Sequence, residues 1–126
     1  MRKKIYYHDT DAGGVVYYAN YLKYLEEART EFFNQKGVSI NKLSGQSILF
    51  AVRRVEVDYK APAYYADTLT IYTAISKIKN ASLEFTQSIN RDDRILVKAK
   101  TQLACINSQF RPRVIPGETI QCLRKE

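Results

Sequence analysis

The chain has 126 residues, 45% of them hydrophobic, and carries a formal net charge of +7 at pH 7. This length predicts one domain, residues 1–126, with a core that needs no disulfide, and the two cysteines lack the spacing of a metal or redox pair. No apolar run is long enough to span a membrane, and the basic start is followed by polar residues instead of a signal-peptide core. We therefore expect a cytoplasmic protein without an integral membrane segment.

The basic residues are dispersed along the chain among acidic ones and form no long basic tail. General solubility accounts for most of this charge, although three or four of these groups suffice to bind a phosphate-bearing small molecule. An RNA-binding domain would carry basic and aromatic residues interleaved along its strands. That pattern is absent from the sequence, so we expect no nucleic-acid partner.

The first predicted elements are a short strand, Lys3 to Tyr7, and a long helix. Apolar residues recur at helical spacing from Asn20 to Gln35, and charged residues occupy the other side. Asn20 is a candidate N-cap, and Gly37 is a candidate C-terminal stop. No later segment predicts a helix as strongly.

The chain after about Ser47 has strand character. Its four predicted strands are rich in β-branched and aromatic residues and are separated by turn signals; they are Ile48 to Tyr59, Thr68 to Ser76, Ser82 to Arg91 and Ile95 to Ile106. The segment from Asn90 to Arg94 predicts a tight hairpin turn, which makes the last two strands antiparallel neighbours.

The apolar pattern changes phase inside the first of these four strands. Phe50 and Val52 have even numbers, whereas Val55 and Val57 have odd numbers. A β-bulge at Arg53-Arg54 would return the apolar residues to one buried face and redirect one arginine, and bulges often lie beside functional sites.

One helix followed by an antiparallel meander predicts an α+β fold in which the sheet wraps around the helix. A single helix covers one face of such a sheet and leaves its edges open. We therefore expect a homo-oligomer, with a dimer as the simplest closed form.

The segment between the first strand and the helix has the layout of a reactive site. Asp11 precedes Gly13-Gly14, which allow a positive φ or a close approach to a ligand, and the helix start that follows offers unpaired backbone N–H groups. These groups would stabilise an oxyanion, and Asp11 would act as nucleophile or base. The alternative is that Asp9 or Asp11 only caps the helix. The predicted substrate-binding residues here are Gly14, Val15, Val16 and Tyr17.

Other polar residues support weaker hypotheses. The candidates for binding phosphate groups are Arg53, Arg54, Lys60, Lys79 and Arg113, and each is individually more typical of surface charge. His8 lies beside two aspartates, but without further His or nearby Cys it does not predict a metal site. Glu26, Glu27 and Glu31 are more typical of a solvated helix face paired with Lys23 and Arg29 than of a catalytic group.

The motif between strand and helix resembles the signature of hotdog-fold acyl-CoA thioesterases of the 4-hydroxybenzoyl-CoA thioesterase type, nearest to the bacterial branch associated with the Tol-Pal cell-envelope system. The residues that carry the resemblance are Tyr7-His8-Asp9-Thr10-Asp11-Ala12-Gly13-Gly14-Val15-Val16-Tyr17, followed by Asn20-Tyr21-Leu22. It extends through Glu27 to Glu31, Val52 to Arg54, Asp58 to Ala63 and Pro112 to Pro116, and so covers nearly the whole chain.

This resemblance implies an antiparallel sheet wrapped around a central helix, assembly into dimers or tetramers, and thioester hydrolysis without a metal or redox cofactor. Asp11 matches the catalytic carboxylate of the family. Tyr17 to Ala19 match the helix start whose backbone N–H polarises the thioester carbonyl. The Tol-Pal branch usually has a histidine at the next position of the motif. This chain has Tyr18 there, as the hydroxybenzoyl-CoA enzymes have a tyrosine, and Tyr18 is a second catalytic candidate.

Three questions stay open at this point. The acyl group of the acyl-CoA substrate is either short and aliphatic or aromatic. Asp11 either attacks the thioester directly or deprotonates water. A non-catalytic hotdog module that binds acyl-CoA or acyl carrier protein is the alternative to an enzyme.

Overall fold

A computed structural model describes residues 1–126. In chain order the elements are β1 (Arg2–Lys4), a 3₁₀ turn (Tyr7–Asp9), α1 (Asn20–Gln35), α2 (Ile40–Gly45), β2 (Leu49–Tyr59), β3 (Thr68–Ile78), β4 (Ser82–Arg91), β5 (Arg94–Ile106) and α3 (Gly117–Leu123). None of the three α-helices could span a membrane.

The five strands form one antiparallel sheet in the order β1-β3-β4-β5-β2, and α1 packs against one face of it. The core has two parts. One surrounds Leu25 and Leu69, and the other surrounds Phe33 and Phe85, whose rings meet edge to face at 5.5 Å. The predicted α+β architecture, with the sheet wrapped around one long helix, is confirmed.

Helix α1 has the predicted bounds, but its first turn is built differently from the prediction. Ala19, not Asn20, holds the N-cap position, and no side chain caps the helix. The Nδ2 atom of Asn20 instead donates to the Asp9 carbonyl at 2.9 Å. At the other end Gly37 has φ = +77° and Val38 donates its backbone N–H to Phe33, so the predicted glycine stop is confirmed.

The bulge predicted in β2 is present. The register with β5 shifts between Val52 and Arg54, and Arg53 is the extra residue, donating from Nη2 to Gln102 at 3.2 Å. Val52 and Val55 nevertheless remain 55% and 40% exposed, because β2 is an edge strand. The expectation of one fully buried β2 face was therefore wrong.

Two further corrections concern short elements. The first strand ends at Lys4, before the predicted Tyr7, because the chain turns at Tyr6 and the Asp9 carboxylate accepts the Tyr6 N–H at 2.8 Å. The short helices α2 and α3 were not predicted. The predicted hairpin between β4 and β5 is present, with Asp92 at φ = +52° in a two-residue turn.

Candidate active site

The loop between the 3₁₀ turn and α1 is closed by its own hydrogen bonds. Thr10 and Val16 face each other as an antiparallel bridge, and the Asp11 N–H donates to Val15 O at 2.9 Å. Gly14 adopts φ = +81° and donates to Asp11 O at 3.0 Å, which confirms the predicted use of a glycine with positive φ. The segment is therefore a compact turn with Asp11 at its start.

The Asp11 side chain is exposed and only half engaged. Its Oδ1 accepts the Gly13 N–H at 2.8 Å, whereas Oδ2 has no partner within the chain. A Cβ at Gly13 would lie 3.2 Å from Oδ1, so glycine keeps this position open for the carboxylate. One carboxylate oxygen is thus fixed by the loop and the other makes no hydrogen bond within the chain.

Asp9 has a structural role in this segment. It is 7% exposed; its carboxylate holds Tyr6, and its carbonyl accepts both the Tyr17 N–H and the Asn20 side chain. The sequence placed the group that polarises the thioester carbonyl among the backbone N–H groups of Tyr17 to Ala19. Because the Tyr17 N–H already donates to Asp9, only the N–H groups of Tyr18 and Ala19 remain as candidates. These two groups donate to no atom of the chain and lie at the positive end of α1.

A cleft of about 300 Å³ opens beside this helix start. Its lining includes Val16, Tyr18 and Lys60, which the sequence placed in the site, together with Tyr59 and Pro62. The structure therefore brings three of the predicted residues to one cavity, adjacent to the loop that carries Asp11.

Aromatic rings form one wall of the cleft. Tyr18 packs against Tyr17 at 4.9 Å and against Tyr59 at 6.2 Å between centroids, and Tyr59 also contacts Tyr21 at 5.7 Å. Burial raises the pKa of Tyr59 and Tyr21, while Tyr18 and, to a smaller extent, the Asp11 carboxylate raise that of Tyr17. These three hydroxyls stay protonated at neutral pH and can donate hydrogen bonds.

The sequence singled out Lys60 but not Tyr59. Tyr21 was expected either to line an acyl tunnel or to pack in the core, and its hydroxyl accepts the Ala63 N–H at 3.0 Å, which ties the segment after β2 to α1. The Val16 N–H donates to Ala63 O at 2.9 Å, so both sides of the cleft meet at this residue. The only sequence signal for this side of the cleft was that the strand pattern of β2 ends at Ala61-Pro62-Ala63.

The other predicted phosphate-binding residues do not line this cleft within one protomer. Lys79 borders a small cavity with Arg53 at the β3–β4 hairpin, which is the opposite end of the sheet from Tyr59. Arg113 donates to the carbonyls of Gln46 and Ser47, and Arg54 pairs with Glu56 at 2.6 Å. Of the five, only Lys60 is at the cleft.

A scan of the chain against protein-family models matches residues 6–122 to the thioesterase-like superfamily. The chain belongs to the thioesterase-like superfamily. The match spans the Asp11 loop, α1 and the whole meander.

Individual members of the superfamily agree with this assignment. Acyl-CoA thioester hydrolase YbgC from Escherichia coli is 40% identical over 119 residues, covering 93% of this chain and 89% of that protein. The crystal structure named "Probable Thioesterase" from Bartonella henselae superimposes with a TM-score of 0.88 at 35% identity, covering 92% and 97% of the two chains. That of BH1999 gentisyl-coenzyme A thioesterase gives 0.90 at 26% identity, with 96% and 98% covered. The predicted hotdog fold is confirmed.

The three glutamates of α1 form no hydrogen bond or ion pair with the Asp11 loop. Glu27 pairs with Lys3 at 3.4 Å, and Glu26 and Glu31 are exposed. Arg29, expected on the solvated face with them, is instead buried against the sheet. His8 is 81% exposed and 3.8 Å from Asp9, and no group of three or more potential metal ligands surrounds it.

Proposed function

We propose that this chain hydrolyses the thioester of a short-chain aliphatic or aromatic acyl-CoA to the free acid and CoA, with Asp11 as the catalytic carboxylate. The observation that carries the proposal is the free Oδ2 of Asp11 on a loop whose next helix start offers the unpaired N–H groups of Tyr18 and Ala19. A nucleophile or base and an oxyanion-binding group are both needed for acyl transfer. The relatives named as acyl-CoA thioesterases support the same activity.

In this mechanism the thioester carbonyl oxygen binds the N–H groups at the start of α1. Oδ2 of Asp11 either attacks the carbonyl carbon, giving a mixed anhydride and CoA thiolate, or takes a proton from the water that attacks. In the first route water then cleaves the anhydride and regenerates the carboxylate. The Tyr18 and Tyr59 rings pack against the acyl group, and the thiolate needs little acid assistance in leaving.

We propose that the protein is a homodimer whose subunits pair through the outer edge of β2, although further association to a tetramer is compatible with the remaining surface. Strand β2 pairs only with β5, and it exposes Val52 and Val55 beside its unpaired backbone groups. A two-fold axis at this edge makes the two β2 strands antiparallel. The end of one subunit that carries Arg54 and Arg113 then approaches the Tyr59 cleft of the other subunit. There the two arginines and Lys79 can bind the phosphates of CoA.

Recognition of CoA in this site is partly electrostatic, and its salt dependence is a testable consequence. KM for an acyl-CoA should rise by about 3- to 10-fold between roughly 0.05 M and 0.5 M salt, because screening weakens the attraction between lysine or arginine and phosphate. Lys60→Ala should raise KM by about 2- to 5-fold at low salt. Lys23→Ala, on the exposed side of α1, is the control that leaves KM unchanged. A KM independent of salt, with Lys60→Ala equal to wild type, contradicts the phosphate assignment.

The carrier of the acyl group and the cellular compartment are further parts of the proposed function. A cytoplasmic location is proposed because acyl-CoA is its substrate. Acyl carrier protein, which presents the same thioester on the same pantetheine arm, is a second possible thioester donor. Comparing kcat/KM for one acyl group on CoA and on acyl carrier protein decides which carrier is preferred.

A panel of acyl-CoA thioesters tests the proposed function and defines its substrate. Release of free thiol is measured for aliphatic acyl groups of two to eight carbons and for benzoyl- and hydroxybenzoyl-CoA. We expect turnover of at least one thioester in this set. The preferred acyl group should be one that fits the tyrosine-lined cleft. Absence of turnover throughout the panel would instead favour a non-catalytic module that binds the thioester.

A further inference from the structure

The Asn20 side chain connects the start of α1 to the turn that precedes Asp11. Asn20 is the first residue of α1 and is half-buried. Asparagine is disfavoured inside helices and favoured at N-caps, yet no side chain caps this helix. The Nδ2 of Asn20 instead donates backwards to the Asp9 carbonyl at 2.9 Å. The amide therefore has a use other than starting the helix.

The Asp9 carbonyl holds the segment from Tyr17 to Asn20 at both of its ends. It accepts the Tyr17 N–H at 3.0 Å as well as the Asn20 amide. The backbone N–H of Asn20 donates in turn to the Tyr17 carbonyl at 2.9 Å. Tyr18 and Ala19, whose N–H groups are the proposed oxyanion donors, lie between these two anchor points. Both donors are thus held relative to one oxygen atom.

The same carbonyl is closely connected to the carboxylate of Asp11. Asp9 is buried and lies two residues before Asp11, and Thr10 between them pairs with Val16 as an antiparallel bridge. The Asp11 N–H donates to Val15 O at 2.9 Å. A hydrogen bond from α1 to the Asp9 carbonyl therefore fixes the helix start relative to the loop that carries the carboxylate.

We propose that Asn20 is a positioning residue for thioester hydrolysis, which sets the backbone donors of α1 at the correct distance from Asp11. This inference rests on the proposed function. The thioester oxygen must reach the N–H groups of Tyr18 and Ala19 while its carbon meets Oδ2 of Asp11 or the water that Oδ2 activates. The relative position of donors and carboxylate then decides the rate. Asn20 acts through the Asp9 carbonyl and need not touch the substrate.

Asn20→Ala tests this role, because it removes the donor while alanine has a higher helix propensity than asparagine. For a preferred acyl-CoA, kcat should fall by about 10- to 100-fold, since a small misplacement of reacting groups has an effect of this size. KM should change by less than about threefold, because oxyanion donors act mainly in the transition state. Asn34→Ala, the same change at an exposed position near the other end of α1, should retain the wild-type kcat.

Two further substitutions separate positioning from a contribution to stability. Asn20→Asp keeps the size of the side chain, and a carboxylate is favourable at a helix N-terminus, so the melting temperature should change little. The carboxylate cannot donate to Asp9, and its charge opposes an oxyanion at the neighbouring N–H groups. Its kcat should therefore fall by about 10²- to 10³-fold. Asn20→Gln keeps an amide donor and should recover part of the activity that Asn20→Ala loses.

Circular dichroism and thermal denaturation accompany each variant. A folded Asn20→Ala protein with the wild-type kcat overturns the proposal even if it is less stable, because the amide then serves only the fold. So does an Asn20→Asp variant as active as the wild type, and this variant and Asn20→Gln carry the test if Asn20→Ala does not fold. A wild type that releases no thiol contradicts the proposed function and this role together. Turnover that survives unchanged in Asn20→Ala contradicts this role alone.

Discussion

Replacing Asp11 with asparagine should lower kcat for acyl-CoA hydrolysis by about 10²- to 10⁴-fold while leaving the fold intact. Asparagine is nearly isosteric with aspartate, and its side-chain oxygen can still accept the Gly13 N–H that Oδ1 accepts at 2.8 Å. What is lost is the charge on the free Oδ2. KM and the melting temperature should therefore change little, and steady-state kinetics with thermal denaturation measures all three quantities.

Asp9→Asn is the matched control for this substitution. It makes the same chemical change two residues away, at a buried carboxylate that holds Tyr6 and does not face the cleft. Its effect should fall mainly on stability and much less on kcat. The reverse ranking would contradict the assignment of Asp11 as the catalytic carboxylate. Loss of activity in Glu31→Gln while Asp11→Asn remains active would move the chemistry from the loop to the helix.

Placing lysine at both Val52 and Val55 should convert the proposed dimer into monomers and lower specific activity by about 10- to 100-fold. Both side chains are exposed at the free edge of β2, so the protomer itself should tolerate the change. Lysines on an edge strand oppose pairing with a second strand, and a cleft that lacks its partner's residues loses positioning of the substrate. Light scattering gives the mass, and activity is measured on the same sample.

Tyr72→Lys provides the control, because Tyr72 is 58% exposed but lies in β3, three strands away from the β2 edge. It should retain the wild-type mass and activity. Dilution of the wild type should also reduce specific activity once the dimer dissociates. A wild type that is monomeric and fully active would contradict both the proposed interface and the role of a partner at the cleft.

The sequence was a good guide where local rules determine the backbone. Gly14 needs a positive φ, Gly37 ends α1, and the change of apolar phase at Arg53 requires a bulge. Each of these features depends on a few consecutive residues, so it can be read without knowing the remainder of the fold.

Features that depend on distant parts of the chain were missed. Asn20 is a favoured N-cap residue, but its amide is used to hold the Asp9 carbonyl. An arginine such as Arg29 is usually found on a solvated helix face. Here it is buried, because Gln87 and Thr101 accept its hydrogen bonds inside the core from 58 and 72 residues away in the sequence. Tyr59 is at the cleft only because β2 ends beside α1. None of these contacts produces a periodic signal in the sequence.

The most direct test of the central claim is the rate of thiol release from a preferred acyl-CoA, measured for purified wild type and Asp11→Asn side by side. The account predicts turnover well above the buffer rate for the wild type and a loss of about 10²- to 10⁴-fold in the variant. A folded wild type that binds acyl-CoA tightly but releases no thiol would contradict it, as would an Asp11→Asn variant with wild-type turnover.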